Sequence, residues 1–333
     1  MPAYVIVGGF FGDEGKGKIV AYLALNDKAD TAVRGGVGPN AGHTVIHQGK
    51  TYKLRMLPSA IVSRAKLMVG AGVLVNPDVL LDEAKMYDVK SRVLVDYGAS
   101  IIEEKHLDAD RVGHLKEKIG TTGTGTGPAN SDRVLRVAKI ARDEPKLKGL
   151  VGDVAEHVNG VVDAGKNLIV EGTQGTFLSL YHGTYPYVTS KDVTASAICS
   201  DVGLGPKKVD DVIMVCKAYV TRVGSGELDG ELSAEEVQKR GWQEFGTVTG
   251  RLRRAAPFSM KLAKRAAMLN SATGIAITKF DILFPETANM TNYAKLTSRA
   301  KKFVEEVEGE VGVPVVLIGT GAEVSSTVDR RKN

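Results

Sequence analysis

Apolar and polar positions along this chain alternate in blocks. Short, mostly apolar runs recur at Tyr4-Val5-Ile6-Val7, Leu67 to Val75, Ser91 to Tyr97, Asn167 to Glu171, Val212 to Val220, Gly274 to Thr278 and Val313 to Ile318. Runs of this length, rich in β-branched residues and bounded by turn formers, read as strands buried on both faces. Between them lie helical signals. Ile19 to Leu25 is a helix start, Asn76-Pro77 supplies a cap and a first-turn proline, and Ser233 to Glu236 is a capping box. Ser131-Asp132 opens a basic helix over Arg133 to Arg142, and residues 292–310 form an amphipathic, Glu- and Lys-rich helix. Strand, loop and helix alternating in this way predict an α/β fold. We expect a single large domain over 1–333, a mostly parallel central sheet with flanking helices, and long functional loops.

Glycine is concentrated in those loops. The first run is followed by GGFFGDEGKGK, Gly8 to Lys18, and then directly by helix. Strand, glycine-rich turn and helix together aim backbone N–H groups and the positive end of a helix dipole at an anion, so this βα turn is P-loop-like. Gly12 to Lys18 fits G-x-x-x-x-G-K, although Ile19 stands where a P-loop places Ser or Thr on magnesium. Asp13 is the anomaly, because a carboxylate repels phosphate unless it holds a metal or moves a proton. Further along, Asn40, His43 and Thr44 lie in a Gly/Pro loop, and Ile119 to Asn130 alternates threonine with glycine. Gln174 follows a strand in Gly172-Thr173-Gln174-Gly175, and His182 to Ser190 is another loop of special conformation. Gly246 to Arg254 ends in arginines suited to forking around carboxylate or phosphate. Lys279-Phe280-Asp281 closes a strand, where a carboxylate can accept both N–H groups of guanine's edge and a lysine stem can cover the base. Gly319-Thr320-Gly321 is a last turn at the same height.

Composition narrows the class. The chain has 333 residues, 38 glycines, a net charge of +5 and a pI of about 9.0. That balance suits anionic ligands but lacks the aromatic–basic interleaving or zinc spacing of a nucleic-acid binder, so no nucleic-acid partner is expected. Cys199 and Cys216 sit in or beside apolar runs and read as core residues. No basic leader precedes the first strand and no apolar run approaches the roughly 20 residues of a membrane span, so a soluble cytoplasmic protein without a membrane partner is expected.

Seven of these segments also occur, in the same order, in a known family. GDEGKGK at 12–18, NAGHT at 40–44, IGTTGTGTGPA at 119–129, EGTQGT at 171–176, HGTYPYVTS at 182–190, TGRLRR at 249–254 and TKFD at 278–281 resemble adenylosuccinate synthetase, in its compact archaeal-type form. The resemblance implies ligation of L-aspartate to IMP with GTP and Mg2+, through a 6-phosphoryl intermediate. It implies Asp13 as the base at purine N1, with His43, Gln174 and Lys16 completing the catalytic set. GTP would be held by Gly12, Glu14, Gly15, Lys16, Gly17, Lys18, Gly42, Thr44, Lys279, Asp281, Gly319, Thr320 and Gly321. IMP would meet Asp13, Asn40, Thr122, Gln174, Thr189, Val223 and Arg251, and also Arg136 reaching across a homodimer into the neighbouring site. Aspartate would meet Thr249, Arg251 and Arg253, and magnesium would take Asp13 and the Gly42 carbonyl.

Three positions depart from the family pattern: Phe11 for Trp, Val248 for Thr and Gly319 for Ser. Other readings remain open at this stage. Phage relatives use dGMP to make a 2-amino-deoxy product and lack the loop aspartate. A GTP-binding regulatory switch would share the phosphate loop and TKFD, but it leaves the arginine turn without a task.

Overall fold

The computed structural model describes residues 3–246 and 250–331. Its first strands are β1 (Ala3–Gly8), β2 (Thr31–Arg34), β3 (His43–His47), β4 (Lys50–Leu54), β5 (Lys66–Val69), β6 (Leu74–Val75), β7 (Val93–Asp96) and β8 (Ser100–Ile101). They are followed by β9 (Val151–Gly152), β10 (Leu168–Glu171), β11 (Asp211–Lys217), β12 (Tyr219–Arg222), β13 (Arg254–Pro257), β14 (Gly274–Thr278), β15 (Val315–Gly319) and β16 (Thr327–Asp329). The helices are α1 (Lys16–Asn26), α2 (Pro77–Met86), α3 (Glu104–Asp110), α4 (Thr126–Leu135) and α5 (Val154–Asp163). After them come α6 (Ala195–Val202), α7 (Ala234–Lys239), α8 (Met260–Asn270), α9 (Phe280–Leu283) and α10 (Ser298–Val311).

Ten strands form one sheet in the order β16-β15-β14-β11-β1-β10-β2-β5-β7-β9, with β1 near its middle. Every pairing is parallel except β15 with β16. The alternation of β1 explains its unbroken apolar run. Ala3, Val5 and Val7 enter the core on one face while Tyr4 and Ile6 enter the core on the other. Ile19, Val20 and Leu23 of α1 cover the second face. Residues of α5, α6, α8 and α10, among them Val158, Ile198, Ala263 and Val304, cover the first. Both cysteines are free and buried.

Several boundaries differ from the sequence reading. The run 67–75 is two strands, because the chain turns at Gly70, where an added Cβ would lie 2.6 Å from the Asp201 carbonyl. The run 212–220 breaks at Ala218, and β12 leaves the sheet to pair antiparallel with β13. The helix expected over 133–142 occupies Thr126–Leu135 instead and is stopped by Arg136 in the left-handed region, φ +66°. The last helix starts at Ser298, where the Thr297 hydroxyl accepts from Ala300 N at 3.3 Å. The caps at Asn76 and Ser233 form as read.

Candidate active site

The carboxyl ends of parallel strands emerge on one edge of the sheet, and ligands bind there. Gly8 lies across from Val215, Arg34 from Glu171 and Lys217 from Thr278. The segments that follow β1, β2, β10, β11 and β14 therefore open side by side.

The first of these loops is folded around Glu14, whose side chain is 1% exposed. Its Oε1 accepts from Phe10 N at 3.1 Å and Gly12 N at 2.7 Å, and its Oε2 receives Lys16 Nζ at 2.9 Å. Lys16 also donates to the Gln174 carbonyl, tying the loop to the β10 turn. The two backbones approach so closely that a Cβ on Gly175 would lie 2.5 Å from both Gly12 N and the Phe10 carbonyl. Glu14 and Lys16, which the resemblance gives to nucleotide, thus hold the loop together through their side chains. Gly15 is left-handed at φ +84° and caps α1, so Lys16, Gly17 and Lys18 form its first turn. The Glu14 carbonyl is held by the Thr278 hydroxyl at 2.5 Å.

Asp13 is turned the other way. It sits at φ +61° with its side chain 26% exposed, and its Oδ2 meets Arg253 at 2.9 Å. Burial pushes its carboxyl above the ordinary value, while the charges of Arg253 and Lys217 pull it down. Arg253 in turn pairs with Glu244, which takes Lys217 at 2.7 Å and the Tyr219 hydroxyl at 2.5 Å.

His43, at the start of β3, is the second candidate. Its Nδ1 contacts Glu171 Oε1, with Arg34 at 2.8 Å and Ser59 Oγ at 3.4 Å. Arg34 and Glu171 are both fully buried. Burial and the adjacent guanidinium push the imidazole well below its ordinary pKa, against the pull of Glu171. Burial alone would raise Glu171, but His43, Arg34 and Ser59 together hold it low. His43 is therefore a neutral imidazole at pH 7, flanked by an Arg–Glu pair.

The remaining polar residues fall into two groups. Asn40 donates to Thr189 Oγ1 at 3.2 Å, and Asn130 donates to the Ser190 carbonyl at 2.9 Å. The acceptor atoms Asn40 Oδ1 and Gln174 Oε1 are buried without a protein partner, as is Ser190 Oγ, so each could accept a hydrogen bond from a bound group. The Thr122 hydroxyl bonds Thr124 at 2.8 Å within its own loop. Arg251 lies beside two turns: its NH1 is 3.2 Å from where a Cβ on Gly120 would stand and 3.9 Å from that on Gly224, next to Val223. On the other side, Lys279 is left-handed at φ +55° ahead of Asp281, whose Oδ1 is buried without a partner. Lys18 donates to the carbonyls of Gly321 and Ser326 at 2.7 and 2.6 Å, and burial lowers it to about 8. Thr320 is fully buried and bonds Met290 O at 2.6 Å, so it holds the turn between Gly319 and Gly321 rather than offering its hydroxyl. Gly42 precedes His43, and Thr44 is exposed on β3. Arg136 is exposed at the end of α4. Thr247, Val248 and Thr249 lie outside the described residues.

A family model described as adenylosuccinate synthetase matches residues 5–143 and 137–288. A relative from Archaeoglobus fulgidus, an adenylosuccinate synthetase, is 55% identical across 100% of this chain and 99% of its own length. The chain belongs to the adenylosuccinate synthetase family. The adenylosuccinate synthetase of Methanocaldococcus jannaschii is 54% identical over 98% of this chain and 96% of its own. Among solved structures, a fully ligated adenylosuccinate synthetase from Plasmodium falciparum matches with a TM-score of 0.92 over 98% of this chain and 99% of that one, at 24% identity. It supports the fold. A cyanophage S-2L succinoaminodeoxyadenylate synthetase, solved with dGMP and with dATP as energy donor, matches at a TM-score of 0.81 and 25% identity, over 99% of this chain and 95% of that one.

Within this synthetase fold, three of the four buried charges not singled out from the sequence share a signature. Arg34, Glu171 and Lys217 each end a buried strand and stay at most 1% exposed. A charge closing an apolar run is the signal that could have found them. Glu244 has no such signal. The geometry at His43 makes a prediction with a definite sign. Since its folded pKa is lowered, the neutral ring stabilises the fold above about pH 6.5, and that contribution is lost as pH falls below it. NMR titration should show the His43 ring neutral at pH 6, whereas titration at the free-imidazole value contradicts the assigned environment.

Proposed function

We infer that this protein joins L-aspartate to IMP using GTP, giving adenylosuccinate, GDP and phosphate, in the cytoplasm. The observation that carries the reading is the division of labour between two adjacent acids. Glu14 is consumed by the loop's own donors, which leaves the Asp13 carboxylate partly exposed beside the Arg253 cation.

Oxygen is a poor leaving group at purine C6. In this reading Asp13 takes the N1 proton, O6 attacks the γ-phosphorus and GDP departs. The aspartate amine then attacks C6, and phosphate leaves carrying O6. Partial burial raises the basicity of Asp13 toward that task, while Arg253 keeps it ionised. His43 and the first-turn N–H groups of α1 face the transferring phosphoryl and stabilise its charge. The orphaned acceptor on Gln174 fits the purine edge, Asn40, Thr122 and Thr189 fit the IMP phosphate, and Val223 with Arg251 fits the nucleoside. Arg251, Arg253 and Thr249 take aspartate. The unpartnered Asp281 carboxylate fits guanine's N–H groups, with Lys279 beside it.

Magnesium fits the donor set. Asp13 and the Gly42 carbonyl are hard oxygen ligands, and this ion keeps water and substrate phosphates for the rest of its shell, so a protein cage is not required. Bound there, it would neutralise charge on the transferring phosphoryl.

The dGMP reading is disfavoured. Asp13 is present, and identity to the archaeal synthetases, 55% and 54%, far exceeds the 25% to the cyanophage enzyme.

A homodimer is the proposed unit, with Arg136 entering the neighbouring site. Val134, Leu135 and Val137 around it are 67, 66 and 64% exposed, an apolar patch suited to a second copy.

Three outcomes test these assignments. Asp13→Ala should abolish succinyl-purine formation, by about 10³-fold or more, and leave the melting temperature near normal; near-normal turnover removes Asp13 from the mechanism. Asp281→Asn should raise the GTP KM by roughly tenfold or more, the equivalent of one charge-assisted hydrogen bond, with little change for aspartate; the reverse pattern contradicts the guanine assignment. Leu135→Glu should shift sedimentation toward monomer and raise the IMP KM, and an intact dimer with normal IMP kinetics overturns the shared site.

A further inference from the structure

The aspartate assignment made above explains Arg251 and Arg253 but leaves Glu244 unused. This side chain is 10% exposed and meets several cationic or donor groups. Its Oε2 accepts from Lys217 Nζ at 2.7 Å and from Arg253 NH1, and its Oε1 accepts from the Tyr219 hydroxyl at 2.5 Å, with Lys279 Nζ at 3.9 Å. The backbone repeats the connection. Arg253 N donates to the Glu244 carbonyl at 2.9 Å, Gly246 N donates to the Arg251 carbonyl at 2.8 Å, and Phe245 bridges Leu252 in antiparallel fashion. Residues 244–246 and 251–253 are thus tied to each other through the backbone, which fixes the chain at Arg253.

Glu244 is itself fixed. Lys217 closes the buried strand β11 and is 1% exposed, and Tyr219 stacks on Trp242 with ring centroids 4.5 Å apart. Arg253 therefore stands between two carboxylates of different character. Glu244 belongs to the rigid sheet end, and Asp13 belongs to the reactive loop. The Nε of Arg253 is buried without a partner, an open donor next to the two corners already engaged. A planar guanidinium held at one corner presents its remaining N–H groups in a fixed direction.

We propose that Glu244 is a positioning residue for the substrate aspartate: it anchors Arg253 by one corner, so that the free Nε–H and the Asp13-facing corner are presented to the incoming carboxylate. This rests on Arg253 binding aspartate, as assigned above. A freely swinging arginine would have to be ordered at each binding event, and its cation would be drawn wholly onto Asp13, weakening the base. With the anchor present, the guanidinium is ordered before substrate arrives.

The test is steady-state kinetics at saturating IMP and GTP, with L-aspartate varied, on Glu244→Gln. The amide keeps the shape and removes the charge. The aspartate KM should rise ~10- to 100-fold, the loss of a charge-assisted hydrogen bond, while the IMP KM moves less than ~3-fold. Because the change strands Lys217 in a buried site, the double variant Lys217→Met/Glu244→Gln is measured as well. It removes both buried charges and should recover the melting temperature without recovering the aspartate KM. Glu244→Asp, which retains the charge, should give a smaller rise in aspartate KM than Glu244→Gln. Aspartate and IMP KM values rising together, a normal aspartate KM in the double variant, or failure of both variants to fold overturns the proposal and leaves Glu244 a structural residue. Arg253→Met separates the two ideas. An unchanged aspartate KM there defeats the aspartate assignment itself, whereas a raised one with a silent Glu244→Gln defeats only the anchor.

Discussion

One buried carboxylate determines the shape of the reactive loop. Glu14 gathers two backbone N–H groups and the Lys16 ammonium, which are the donors that a phosphate loop would otherwise turn toward its ligand. Burying an ion costs several kcal/mol unless it is paired and hydrogen-bonded, and here each oxygen has a partner. Lys16 passes the constraint on to the Gln174 carbonyl, and the Thr278 hydroxyl secures the Glu14 backbone. The loop is therefore registered against the ends of β10 and β14 at once. Asp13 can occupy a left-handed, outward pose because its neighbour has already settled the loop's internal hydrogen bonding.

Around that loop the sheet edge is organised as alternating charges. The Arg34–Glu171 pair brackets His43, and the Lys217–Glu244 pair brackets Arg253. The first pair is fully buried and the second nearly so, and their fields act through a medium that screens them weakly. The consequence is opposite for the two side chains they border. His43 is kept neutral by burial and by Arg34, whereas Asp13 is raised by burial and restrained by Arg253. A neutral donor and a tuned base at one strand edge suit proton removal followed by phosphoryl transfer.

Much of the fold was legible because fully buried strands leave an unmistakable pattern. β1, β10 and β14 were readable from apolar runs, and α2 and α7 from their caps. The errors fell where tertiary contacts override local signals. A close approach to Asp201 turns the chain at Gly70, and a left-handed Arg136 ends a helix whose composition would continue it. At the candidate site, Asp13 stood out as an acid in a phosphate-loop-like turn, and the structure sets it beside Arg253. The inward contacts of Glu14 and Lys16 did not stand out, because a motif records which residues are present and not which way they face. Glu244 was invisible for a different reason: a lone acid in a polar stretch reads as surface until Lys217 and Tyr219 are brought to it from β11 and β12 and the chain folds back to Arg253.

The central claim is that O6 of IMP becomes a phosphoryl acceptor at the Asp13 loop. It is tested most directly by tracing that oxygen, with IMP labelled by oxygen-18 at the 6-position and turned over with aspartate and GTP. The account predicts that the released phosphate carries one labelled oxygen per molecule and that adenylosuccinate carries none at C6. Unlabelled phosphate, with its new oxygen drawn from water, would mean that GTP is hydrolysed without O6 ever accepting its phosphoryl group, and the account would fail.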